Sequence, residues 1–168
     1  MRLIVVFSFF ALISLAIETA LPHLIPVRAI VPNLIVILAV DLGLRHHGAL
    51  PALLAFGMGY ATDTFSGSHL GLNAFFVTLV FVAAYEMSSR LMVTNAFVGA
   101  MLVMIATVLI TLGSIAITDG MDSLGDIGPL LPALAVQAIL SAILAPMIFS
   151  MLASAKKLVG LPTASARE

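Results

Sequence analysis

Six long apolar runs separated by short polar loops leave this chain few folds to choose from. The first reads LIVVFSFFALISLAIETAL over residues 3–21, with Glu18 its only charge. In hydrocarbon every backbone N–H and C=O has to be paired, so each run is expected to be a helix. Water as the main solvent fails on composition. Only 9% of the 168 residues are charged and 62% are hydrophobic, whereas a soluble domain carries roughly a quarter charged residues. The bilayer is the expected solvent instead. A net charge of −1 gives nucleic acid no handle, and the lack of cysteine removes disulfides and thiolate metal sites.

The expected architecture is all-α: one six-helix membrane domain over 1–155, followed by a short tail over 156–168. Its helices fall near 3–21, 31–44, 49–66, 70–89, 95–117 and 129–154. The first reads as a spanning helix rather than a signal peptide, because no clear small-x-small cleavage site follows it. The second is unusually short. Pro32 suits its first turn, which leaves about 13 residues and about 19 Å, against a hydrocarbon core of ~30 Å. Residues 22–31 before it are expected to be irregular or interfacial. Six spans would put both termini on one side. Arg2, Arg45, Arg90, Lys156, Lys157 and Arg167 share that side, with Arg28 alone opposite. The positive-inside rule then predicts cytoplasmic termini.

The carboxylates within the runs sort into two kinds. Asp41 precedes Arg45 by four residues, as Glu86 precedes Arg90. This acid-first spacing puts each pair on one helix face, and both read as anchors at cytoplasmic helix ends, with arginine snorkelling to water. Glu18 and Asp63 have no base within a helical turn, and both fall in the outer half of the membrane. One or the other is expected to engage Arg28, His23 or His69, tying helices one and three to the outer segment, unless both are simply wetted at the interface. Ala55, Gly59 and Asp63 recur every fourth residue, with Gly57 close by and Gly71 beyond the turn. Such small residues let helix backbones approach closely, so Gly59→Leu is expected to disrupt folding or partner capture more than Asp41→Ala. Thr107, Thr111, Ser114 and Thr118 form a hydroxyl stripe for packing, or one wall of a polar cavity faced by Gln137 and Ser141.

No nucleophile–base arrangement, phosphate-cradling loop or metal spacing is present, so neither an enzyme nor a cofactor is expected. The histidines at 23, 46, 47 and 69 are split between the two sides and cannot form one site.

Residues 31–75 resemble the bacterial rod shape-determining family MreD. Pro32 opens an apolar helix, a small-rich helix carries Gly57, Gly59 and Asp63, and Ser66–Gly67–Ser68 leads to Gly71–Leu72–Asn73. Asn33 stands where the family often has an acid, keeping hydrogen bonding but not charge. The resemblance implies a non-enzymatic inner-membrane subunit of the elongation machinery. Its partners would be MreC, a single-span protein, with the glycan polymerase RodA, its transpeptidase partner and the MreB filament in a larger assembly. It also implies a likeness in fold to the substrate-capture subunits of energy-coupling-factor vitamin transporters.

Three functions therefore stand at this point. One is a scaffold whose small-residue face grips a partner's transmembrane helix, with homodimerisation open to the same face. Another is a small-molecule capture subunit with a pocket lined by Glu18, Asp63, Arg28 and the helix-five hydroxyls. The third is a protein that binds a lipid-linked wall precursor.

Overall fold

The computed structural model describes residues 2–24, 31–66, 70–91, 96–118, 128 and 130–159. Its helices are α1 (Arg2–Leu24), α2 (Leu34–Arg45), α3 (Ala49–Ser66), α4 (Leu72–Leu91), α5 (Ala96–Thr118) and α6 (Leu131–Leu158). Each coincides with one apolar run of the sequence. The largest differences are at the ends. Residues 22–24, expected in an irregular segment, continue α1, while 25–30 lie outside the described residues. Helix α6 carries on to Leu158, so Lys156 belongs to the bundle and not to a tail.

The core is built around α2. Its sequence, LIVILAVDLGLR, has no polar face, and a helix apolar all round belongs in the interior. Residues Leu34 to Gly43 are all buried, and α1, α3, α4, α5 and α6 all pack against it. Gly43 lets α4 cross closely: a Cβ there would lie 2.6 Å from the Phe81 carbonyl oxygen and 2.7 Å from Ala84 Cβ. The bundle's outer surface is also apolar. Phe9, Leu12, Leu53, Phe97, Leu109 and Ile143 are all exposed, as suits a surface facing hydrocarbon chains.

Six helices do not here mean six windows that qualify as spans. By length and composition four do: Leu3–Ala20, Leu72–Ser89, Ala96–Thr118 and Leu131–Leu158. Helix α2 is too short at 12 residues, about 18 Å at 1.5 Å per residue. Helix α3 carries Gly57, Gly59, Thr62, Asp63 and Thr64, which lower its hydropathy. These two helices hold Asp41, Arg45 and Asp63.

Candidate functional site

A helix start leaves four backbone N–H groups without intrahelical partners, and in an apolar bundle each must be satisfied by other means. At α2 every one of them is. Leu34 N and Ile35 N donate to Glu18 Oε1 at 2.5 and 3.2 Å. Val36 N donates to Asn33 Oδ1 at 3.3 Å, and Asn33 N to Ser141 Oγ at 3.0 Å. The carboxylate comes from α1 and the hydroxyl from α6, so the start of α2 is closed by two other helices. A negative group there also complements the helix dipole.

Asp63 performs the same task for α4. Its Oδ2 accepts from Gly71 N at 2.9 Å and Ala74 N at 3.1 Å; its Oδ1 accepts from Asn73 N at 3.1 Å and Asn73 Nδ2 at 3.0 Å. Gly71 turns the chain into α4 with φ +96°, a left-handed conformation that costs glycine little. One turn before Asp63, Gly59 makes the approach possible. A Cβ at 59 would sit 2.6 Å from both Ala74 Cα and Asn73 O. The carboxylates expected to seek arginine or histidine thus bond main-chain amides. Arg28 and His69 lie outside the described residues, as do the side chain of His23 and any contact these groups make.

The small-residue face divides in two. Ala55, Gly59 and Asp63 are buried, with Gly59 and Asp63 against the start of α4. Gly57 instead is exposed, and a Cβ there would meet nothing within 4 Å. It lies on an apolar groove of about 350 Å³ between α1 and α3, together with Ser8, Ala11, Leu12, Leu53 and Ala61.

At the other end of α2 lies a charge cluster. Asp41 is fully buried; Arg45 Nε lies 2.8 Å from its Oδ1, and Lys156 Nζ donates to its Oδ2 at 2.5 Å. Lys156 is buried too, with Nζ 4.8 Å from the Phe7 ring centroid, while Arg45 lies over Phe149 at 5.8 Å. The Asp41–Arg45 pair forms at the spacing read from the sequence, and Asp41 has a second partner from α6, 115 residues away. Spacing along one helix could not reveal this, although an acid on a helix with no polar face was a signal. His46 follows α2 and meets Phe7 edge-on at 6.0 Å. Burial, then the Lys156 charge, push its pKa down from 6.5 to about 4, with Arg45 acting in the same direction and Asp41 opposing. Glu86 is exposed on α4, and the side chain of Arg90 lies outside the described residues.

In the α5 stripe, Thr107 and Thr111 hydroxyls donate to the carbonyls of Val103 and Thr107 at 2.8 and 2.9 Å, bonds within their own helix. A polar cavity does exist, about 130 Å³ in volume, above the start of α2. All six helices or the turns leading into them contribute to it. Its lining includes Glu18, Asn33, Thr62, Asn73 and Gln137, with Ile110 on the α5 side. Among the described residues no cluster of three or more His, Asp or Glu is placed to hold a metal ion.

The family model for the rod shape-determining protein MreD matches residues 1–155. No curated protein and no solved structure matches the chain.

Proposed function

The chain belongs to the MreD family of rod shape-determining proteins, integral proteins of the inner membrane, and on that premise we propose that it is a non-enzymatic scaffold of the cell-elongation machinery. In this reading it grips the transmembrane helix of MreC and stands beside RodA, its transpeptidase partner and MreB in peptidoglycan synthesis. The observation that carries the proposal is the division of labour between its polar and apolar groups. Glu18, Asp63, Asp41 and Lys156 are spent on closing helix starts and pairing charge inside the bundle. The exposed helix faces are left as working surfaces.

Of these faces, the α1–α3 groove suits a helix best. Ser8, Ala11, Gly57 and Ala61 keep its walls low, and small residues allow backbones to meet in lipid. We place the MreC helix there, with Gly57 rather than Gly59 at the contact. All six helices are read as spanning in the manner of transporter substrate-capture subunits, with both termini cytoplasmic. The cluster of Arg45, Lys156 and Lys157 near one end of the bundle supports this orientation.

The test is Gly57→Leu, whose Cβ meets nothing within 4 Å and whose longer side chain would occupy the groove. Co-purification of MreC from mild detergent should fall about tenfold, worth about 1.4 kcal/mol, while yield holds and the unfolding midpoint does not fall. Undiminished MreC capture by this variant would remove the groove from the proposal.

A further inference from the structure

The cavity above α2 has a charge balance of its own, independent of any protein partner. Glu18 is the one acid in its lining, and no described lining residue is basic. The α2 N-terminus contributes only about half a positive charge, so among the described residues an ionised Glu18 leaves the cavity net negative. Glu18 Oε1 takes both amide hydrogens, leaving Oε2 without a described hydrogen-bond partner. The Gln137 amide likewise bonds no described group, and Thr62 Oγ1, which donates to Met58 O, keeps its lone pairs. Val77 and Ile110 make part of the wall apolar.

These features narrow the occupant. One carboxylate among neutral oxygens is too little negative charge for a divalent cation, which gathers several hard oxygen ligands. A guanidinium gains most from two carboxylate oxygens in a fork, and here only one is open. A primary ammonium carries three N–H donors on a compact head, matching one carboxylate oxygen, one amide oxygen and one hydroxyl. A volume of about 130 Å³, at roughly 10–15 Å³ per water-sized position, holds about ten such positions, enough for an ammonium head and a short carbon stem.

We propose that this cavity is a binding site for a small primary ammonium group, with Glu18 Oε2 as its counter-charge and Gln137 and Thr62 as the remaining acceptors. The group could be that of a free amine or of an aminophospholipid headgroup, since both present the same chemistry.

The test uses the full chain in nanodiscs, with ethylammonium chloride as the probe and tetramethylammonium chloride as a control of equal charge without N–H donors. Saturation-transfer NMR in phosphatidylcholine discs should give a saturable ethylammonium signal and no comparable tetramethylammonium signal. Glu18→Gln retains an oxygen for the Leu34 and Ile35 amides and should weaken ethylammonium binding about tenfold or more without lowering the unfolding midpoint. Should that variant not fold, Gln137→Leu is expected to weaken binding in a folded protein. In discs containing phosphatidylethanolamine, a suppressed ethylammonium signal identifies the headgroup as the occupant, and an unchanged one identifies a free amine. The proposal is overturned by a missing saturable signal in phosphatidylcholine, by equal binding of tetramethylammonium, or by wild-type affinity in the folded variants.

Discussion

Two glycines two residues apart on α3 should respond to alanine with opposite signs. An exposed helical Gly→Ala change gains about 1 kcal/mol from backbone entropy alone. At Gly57 the new methyl meets nothing within 4 Å, so Gly57→Ala should keep that gain and stabilise the protein by up to about 1 kcal/mol. At Gly59 the same methyl would lie 2.6 Å from Ala74 Cα, where ordinary contact begins near 3.4 Å. The obstacle is backbone, which cannot rotate away, so α3 and α4 have to separate by several tenths of an ångström. Overpacking of this kind costs about 1–3 kcal/mol. The separation also stretches the bonds from Asp63 to Gly71, Asn73 and Ala74, now 2.9–3.1 Å, and a lost helix cap costs about 0.5–2 kcal/mol. Less the entropic gain, Gly59→Ala should be about 2 kcal/mol less stable than wild type, a fall in melting midpoint of about 4–8 °C for a chain this long. Thermal unfolding of both variants in one detergent measures the difference directly. If both substitutions stabilise, or both destabilise equally, the close α3–α4 approach is not what Gly59 is for.

The buried charges give further tests. Asp41→Asn leaves Lys156 buried without its counter-charge and should cost about 3–5 kcal/mol, while Asp41→Leu combined with Lys156→Met should recover most of that loss; denaturant unfolding of the single and double variants provides the check. His46 has a folded pKa of about 4 against an ordinary 6.5, so the unfolded chain binds the extra proton first. Its stabilising contribution is complete above pH 6.5 and is lost as pH falls toward 4. His46→Gln should flatten the stability profile across that window, and an unchanged slope would count against the assignment.

The helix pattern was open to reading because each apolar run is bounded by a turn or by charge, and lipid leaves the backbone little choice. The brevity of α2 could be read from Pro32 and Arg45. Its central position is a corollary of having no polar face, a feature visible in LIVILAVDLGLR itself. What Glu18 and Asp63 bind was harder to read. Sequence reasoning matches side chains with side chains, whereas most of the described bonds to these two acids come from main-chain amides, which every residue but proline possesses. Lys156 was misplaced for a related reason. Hydropathy ends α6 before a lysine, yet folding supplies Asp41 from a distant helix and draws the ammonium inside. Gly57 and Gly59 share one motif in the sequence, and only the position of α4 separates the packed glycine from the open one.

The closure of α2 has a consequence for biogenesis. Its opening amides are met by Glu18, made before it, and through Asn33 by Ser141, made 108 residues later. Early in translation this short segment can lean on α1 but cannot reach its finished state. Helix α6, made well after α2, supplies the hydroxyl at one end of α2 and the lysine at the other. A nascent chain truncated before α6 would therefore have its central element in the membrane with Asn33 N and Asp41 each lacking the partner that α6 supplies, a natural substrate for quality-control proteolysis.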